Sequence, residues 1–289
     1  MVRLSIVIPA YNEEKAIGNV IDDIKKVMNK TNRNYEIIVV DDGSIDKTTD
    51  IVKKKKVKLI QHPYNKGYGA AIKTGIRNAD GNLILITDAD GSYPAEDIPK
   101  LLKHSDKYDM VVGARTGKVV KLPIFRRPAK YFLNKLANFL AGVKIPDLNS
   151  GLRVFKKEIA LKFMNIYPSK FSFTTTITLA FLGSDYTVKY VPISYYKRKG
   201  ESKMKPWMFN DFIVLIVRII TYFNPLKIFL PISVLLFLAG ASLYTYSTFI
   251  LNRLLGVSTE YKYTIIVLIL TAIQIGFFGL LADLVSRKK

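Results

Sequence analysis

Residues 83–97 read LILITDADGSYPAED. The aliphatic run Leu83–Ile86 stops at Thr87 and gives way to Asp88 and Asp90, one residue apart, followed by Gly91. A short aliphatic run bounded by turn-forming residues is the pattern of a strand buried on both faces, as in a parallel sheet covered by helices. In such sheets ligands bind outside the carboxyl ends of the strands. Two carboxylates at i and i+2 past the strand can reach one hard cation if the chain turns, and glycine permits the turn. Taken alone, the same residues equally suit an ordinary turn that binds nothing. The rest of the chain has to decide.

Similar runs lie on either side: RLSIVIP (3–9), YEIIVVDD (35–42), VKLIQH (57–62), DMVVGAR (109–115) and YTVKYVPI (186–193). The runs up to residue 90 are rich in β-branched residues and separated by segments of helix length. Strand and helix alternating in this way predict βαβ units, and so an α/β domain built on a mainly parallel, Rossmann-like sheet. Each run ends in charged, polar or glycine residues, which puts chemistry at the sheet's carboxyl edge. LSIVIP is too short for the apolar core of a signal peptide and acidic residues follow it directly, so it reads as the first strand.

Of the 289 residues 49% are apolar, enough for one sizeable domain and something more. Cysteine is absent and the histidines are His62 and His104, which excludes disulfides, thiolate zinc sites and iron–sulfur clusters. A metal would therefore sit on oxygen ligands, as Mg²⁺ and Mn²⁺ do. The formal charge of +21 favours anionic partners: phosphorylated small molecules, an acidic membrane surface or nucleic acid.

From Pro225 to Leu251 the only charge is Lys227, and from 263 to 285 the only one is Asp283. A span needs about 20 apolar residues, so the two stretches predict a transmembrane hairpin over 225–285. The basic flanks, SRKK (286–289) among them, place both ends and the preceding domain on the cytoplasmic side. PWMFNDFIVLIVRIITYF (206–223) and FRRPAKYFLNKLANFLAG (125–142) fit helices lying on an anionic membrane surface, the latter equally an ordinary core-facing helix. The expected organisation is a domain over 1–205, an interfacial helix over 206–224 and the hairpin.

Seven motifs follow one another: VIPAYNEE (7–14), VVDDGSIDKT (39–48), NKGYGAAIKTG (65–75), TDADGSYPAED (87–97), VVGAR (111–115), DLNSGLRVF (147–155) and YYKRKGESKMKP (195–206). This ordered set resembles the family 2 glycosyltransferases of GT-A fold. With the hairpin it is most similar to the polyprenyl-phosphate glycosyltransferases, which include dolichyl-phosphate mannose and glucose synthases and undecaprenyl-phosphate enzymes. The resemblance covers essentially the whole catalytic region.

That resemblance implies a nucleoside pocket lined by Pro9, Ala10, Tyr11 and Glu13, with Asp41 bonding the base and Lys66, Asp88 and Ala89 framing the donor. A carboxylate can indeed accept from a uracil or guanine N–H, although Asp41 and Asp42 also suit an Asx turn. The glycines of NKGYGAAIKTG let backbone approach a ligand, and a helix start of this kind suits phosphate. Asp88 and Asp90 match the family's metal pair, Asp90 the firmer of the two. Ser92 stands where many relatives carry a glutamine that helps hold the metal. By the same resemblance Arg115, Arg126, Arg127 and Ser202 meet the acceptor phosphate, and Arg198 and Lys203 lie near the reacting phosphates. Asp147 would sit near the centre as support or as a sugar contact. The run KRKGESKMK also suits a solvated surface or lipid headgroups.

The implied reaction transfers a sugar, with inversion, from a UDP- or GDP-linked donor to a polyprenyl phosphate at the bilayer, using Mg²⁺ or Mn²⁺. The acceptor phosphate is already anionic near neutral pH (second pKa roughly 6), so no strong general base is called for. Two rivals stay open: transfer to a sugar hydroxyl, which needs a base carboxylate, and a membrane scaffold that binds nucleotide sugars without turnover. No Glu-Asp or Thr-Glu-Asp base motif occurs between 120 and 180. Nucleic acid is not expected, for no nucleic-acid motif accompanies the charge. DADG followed by YP resembles the glucose-type and bacterial-type relatives, a resemblance that implies UDP-glucose or a related UDP-sugar over GDP-mannose, and self-association into a homo-oligomer is left open.

Overall fold

The computed structural model describes residues 4–117, 135, 138, 142–170, 172–196, 225–252 and 261–287. The chain divides into two units, Met1–Ile216 and Val217–Lys289.

The first unit is built on a seven-stranded sheet: β1 (Leu4–Ala10), β2 (Tyr35–Asp41), β3 (Lys58–Gln61), β4 (Leu83–Ile86), β5 (Met110–Ala114), β6 (Arg153–Lys156) and β7 (Val188–Pro192), in the order β3-β2-β1-β4-β6-β5-β7. Helices α1 (Ile17–Met28), α2 (Thr48–Lys54), α3 (Tyr68–Arg77), α4 (Ile98–Leu102), α5 (Lys157–Lys162) and α6 (Phe173–Gly183) connect the strands. Every residue of β1, β4 and β5 is buried, which explains why those strands read as unbroken aliphatic runs rather than alternating ones. Helix α1 buries Ile17, Val20, Ile21, Ile24 and Met28, the stripe that a 3.6-residue period places on one face.

Strand β6 runs antiparallel to both β4 and β5, whereas the other pairings are parallel. It was not among the expected runs, because RVFK is four residues long with a charge at each end. Its reversal has a functional consequence. Arg153, the first residue of β6, pairs with Ile86 and Val112 near the carboxyl ends of β4 and β5. The segment 147–152 that leads into β6 is thereby delivered to the edge where β4 and β5 finish.

The second unit contains α7 (Leu226–Thr245), continued by a π-helical turn over Tyr246–Asn252, and α8 (Lys262–Arg287). Both pass as membrane spans by length and hydropathy, and only 6% and 11% of their most apolar stretches are buried. A core helix of a soluble domain would be covered, so the exposed aliphatic surface suits lipid. The helices pack antiparallel: Gly240 lies against Ile269 and Gly279 against Phe229, while Ser233 Oγ donates to the Ala272 carbonyl at 2.8 Å. Exposed Tyr244, Tyr246, Tyr261 and Tyr263 gather at one end, as an interfacial aromatic belt does.

Candidate active site

The loops after β1 and β2 interlock. Asn12 N donates to Ser44 Oγ, Glu13 N to Thr48 Oγ1 and Glu14 N to Asp46 Oδ2, while Asn12 Oδ1 accepts from Ile45 N. Pro9 and Ala10 are buried beneath this rim, and Tyr11 and Glu13 are half-buried on it. Asp41, at the end of β2, is buried, with Oδ1 accepting from Ser44 N at 2.9 Å and Oδ2 from Thr49 Oγ1. The local turn anticipated for Asp41 is therefore present, on the residue that the resemblance assigns to the base.

Asp42 has an internal task. Its carboxylate takes the backbone N–H groups of Lys66 (2.9 Å) and Gly67 (2.8 Å), and Oδ1 also lies 2.6 Å from His62 Nδ1. His62 Nε2 lies 2.9 Å from Thr74 Oγ1, further along α3. In the first turn of α3, Gly69 N and Ala70 N donate to the carbonyls of Lys170 and Ser169. The glycines thus admit the chain's own backbone: a Cβ on Gly69 would come within 2.2 Å of the Pro168 carbonyl oxygen. Protein acceptors take the N–H groups at 66, 67, 69 and 70 around this helix start. The Lys66 ammonium lies 5.6 Å from the Tyr64 ring centre.

Past β4, Gly91 adopts φ +72°, the turn expected of it. Asp88 is half-buried, Ala89 buried and Asp90 buried. Tyr68 Oη, from the first residue of α3, donates to Asp88 Oδ1 at 2.9 Å. Asp90 Oδ1 accepts from Ser92 N at 2.9 Å, in a turn of its own. Ser92 also accepts from Tyr196 N, and its Oγ is buried without a hydrogen-bond partner among the described residues. Among those residues no group of three or more His, Cys, Asp or Glu side chains could hold a metal. The available donor set at this edge is the oxygen of two aspartates, which fits a hard cation that completes its shell with water and ligand oxygens.

Arg115 follows β5 and meets Asp147, which is fully buried. Nε donates to Asp147 Oδ2 at 2.7 Å, Nη2 to Oδ1 at 2.8 Å and the Arg115 backbone N–H to Oδ2 at 3.0 Å. This fork-on-fork pairing fixes the guanidinium plane. Its Cζ also sits 5.2 Å from the Tyr195 ring centre, and Nη1 has no hydrogen-bond partner among the described residues. Burial opposes the charge, but Tyr93, Asp147 and Tyr195 hold the guanidinium well above its ordinary pKa.

Three residues that carry this edge were not singled out in the sequence. Tyr93 packs edge-on against Tyr195 at 5.2 Å and accepts from Gly151 N at 2.7 Å; burial pushes its phenol well up. Tyr68 is likewise held well above the ordinary tyrosine range, by burial first and then by Asp88. Arg153 is fully buried and forms no ion pair among the described residues. Its donors go to the carbonyls of Ser150 and Thr174 and to Thr178 Oγ1, and burial lowers its pKa. The tyrosine following a glycine in NKGYG and the arginine closing DLNSGLR were the available signals. Arg126, Arg127, Arg198, Ser202, Lys203 and the segment 206–223 lie outside the described residues, as does nearly all of 125–142.

The profile of glycosyl transferase family 2 matches residues 5–163, and that of the GtrB C-terminal hairpin matches 224–287. The chain is 34% identical over 207 residues to a dolichyl-phosphate hexose transferase of Haloferax volcanii, covering 71% of this chain and 87% of the relative. It is 34% identical over 186 residues to the UDP-N-acetylglucosamine–dolichyl-phosphate N-acetylglucosaminyltransferase of Methanococcus voltae, covering 55% and 71%. Among solved structures, glucosyl-3-phosphoglycerate synthase of Mycobacterium tuberculosis, in complex with Mn²⁺, UDP and phosphoglyceric acid, aligns with a TM-score of 0.60 over 76% of this chain and 78% of that one. At 17% identity that likeness is one of fold.

Proposed function

We propose, for a chain that belongs to glycosyl transferase family 2, that it moves a sugar from a nucleoside diphosphate to a dolichyl-type polyprenyl phosphate at the cytoplasmic face of a membrane. One observation carries the reading. Asp88 and Asp90 after β4 share a sheet edge with Arg115 after β5, in a chain that also holds a membrane hairpin and matches polyprenyl-phosphate enzymes. In this reading a catalytic domain over 1–205, an interfacial helix over 206–224 and a hairpin over 225–285 would give that chemistry access to a lipid acceptor.

The donor's base would rest in the rim formed by Pro9, Ala10, Tyr11 and Glu13, with Asp41 accepting its N–H, and Lys66 and Ala89 flanking the diphosphate. Asp88 and Asp90 would hold Mg²⁺ or Mn²⁺, with water or a diphosphate oxygen where Ser92 replaces a longer ligand. When bound, such an ion neutralises charge gathering on the departing diphosphate. Asp147 fixes the plane of Arg115 through Nε and Nη2, so Arg115 would receive the acceptor phosphate through Nη1 while Asp147 serves as its positioning residue. Arg126, Arg127 and Ser202 would add donors to that phosphate, and Arg198 and Lys203 would screen the diphosphate. Two anionic groups must approach one another, and arrayed cations lower that barrier. The acceptor oxygen attacks as an anion, so no side chain has to remove a proton. The resemblance makes the outcome inversion. A UDP-linked hexose is favoured, in keeping with the UDP-dependent relative.

The test uses purified full-length protein in detergent with Mn²⁺, dolichyl phosphate and a panel of labelled UDP- and GDP-sugars. Labelled lipid from a UDP-hexose is the expected product. Should no donor label the lipid while nucleotide still binds, the protein is a scaffold; should label appear instead on a sugar acceptor, the hydroxyl-transfer reading replaces this one.

A further inference from the structure

We propose that Tyr68 is the positioning residue of Asp88, setting the direction of that carboxylate before any ligand arrives; this rests on the reading of Asp88 as a cation and diphosphate ligand. The geometry holds Asp88 from two sides. Tyr68 Oη donates to Oδ1 at 2.9 Å, and Gly151 leaves room on another side, where an added Cβ would lie 2.7 Å from Oδ2 and 2.8 Å from Oδ1. A carboxylate between a fixed donor and a close backbone wall keeps one rotamer.

The donor is itself immobilised. Asp42 grips the backbone at Lys66 and Gly67, immediately before Tyr68, and the amides at 69 and 70, immediately after it, are bonded to the backbone at 169–170. His62 ties Asp42 to Thr74 on the same helix. The ring therefore starts from a clamped turn, and the hydroxyl has little freedom in where it ends. The nature of the donor matters too. A phenol orients a carboxylate without bringing a positive charge of its own. A lysine or arginine on α3 would have oriented Asp88 and neutralised it at once. Asp90 is oriented differently, by the Ser92 N–H within its own turn. The NKGYG and DLNSG motifs, which sequence reading connects with the donor and the reacting centre, here converge on one carboxylate.

Outer partners of ligating carboxylates typically contribute about 10–100-fold to metal affinity. Mn²⁺ binding to the full-length protein in detergent with UDP, followed by the electron paramagnetic resonance of free Mn²⁺, should weaken about 10-fold in Tyr68→Phe, with the melting temperature nearly unchanged. The Mn²⁺ concentration giving half-maximal transfer should rise in step, while the rate at saturating Mn²⁺ is largely kept. Gly151→Ala pushes on the same carboxylate from the other side and should weaken Mn²⁺ binding as well, which covers the case of a Tyr68→Phe protein that fails to fold. If the wild type binds Mn²⁺ and both variants bind it equally well, Tyr68 is not a positioning residue and the metal assignment stands. If the wild type binds Mn²⁺ no better than Asp88→Asn, the metal assignment falls and this inference falls with it.

Discussion

At the carboxyl end of β2, Asp42 accepts from two backbone amides twenty-odd residues away and pairs with a buried histidine; at the carboxyl end of β4, Asp88 accepts from a phenol on the helix that those amides begin. Both are aspartates just beyond a buried parallel strand, on one sheet edge, and by sequence pattern they look alike. Their partners differ in kind. Backbone N–H donors on a loop make a carboxylate a clasp for the chain, and the chain cannot let go of it without exposing or stranding those donors. A side-chain hydroxyl only aims a carboxylate. The contrast predicts that substitutions after β4 cost activity and substitutions after β2 cost stability.

The largest effect expected is at Asp90. Asp90→Asn keeps an acceptor for the Ser92 amide but loses its charge, and kcat should fall about 1,000-fold, with the melting temperature within a few degrees of wild type. Undiminished transfer in this variant would break the comparison outright. Asp147→Ala comes next: it strands Arg115, 12% exposed over its side chain, opposite a vacated buried site, and should cost about 3 kcal/mol in denaturant unfolding together with much of the affinity for lipid phosphate. Asp42→Asn should cost about 2 kcal/mol, because one of its two backbone donors, Lys66 N or Gly67 N, would face an amide NH₂ instead of an oxygen. Weaker unfolding effects at Asp42 than at Asp90 would reverse the reading of the two strand ends.

The smallest effect concerns the opposite edge of the sheet. Asp109, just before β5, accepts from Lys156 Nζ at 2.8 Å and from Thr187 N and Oγ1. Burial raises its pKa somewhat, but those bonds outweigh it and the folded-state pKa lies below the ordinary value. A depressed carboxylate pKa stabilises the fold fully above the unfolded value of about 3.9, and that stabilisation drains away as pH falls through the folded value. Asp109→Asn should therefore cost about 1 kcal/mol at pH 7, and the gap from wild type should close below about pH 4. Transfer activity should not change. A loss of activity would show that the amino edge of the sheet is coupled to the site.

Strands β1, β4 and β5 were legible because burial on both faces writes itself into sequence as consecutive aliphatic residues, a local signal. The hairpin was legible for a similar reason: lipid requires a long uncharged stretch wherever it is crossed. Strand β6 escaped because its four residues mix two basic ends with two apolar centres, and its place depends on the partners on either side of it. The glycines of NKGYG were read as openings for phosphate. Gly67 and Gly69 admit the 168–170 backbone, a neighbour a hundred residues distant in the chain and invisible to local pattern.

What the sequence by itself determined was therefore the kind of domain, the presence of a membrane hairpin and which strand ends carry acidic residues, since each follows from what a few adjacent residues can bury or must expose. Tertiary structure alone decided what each acidic residue touches. Asp42 reaches Gly67, Asp88 reaches Tyr68 and Arg115 reaches Asp147 across 25, 20 and 32 positions of chain. A carboxylate's partners are the donors that share its enclosure, and only the folded sheet, with one strand reversed among seven, brings those donors to it.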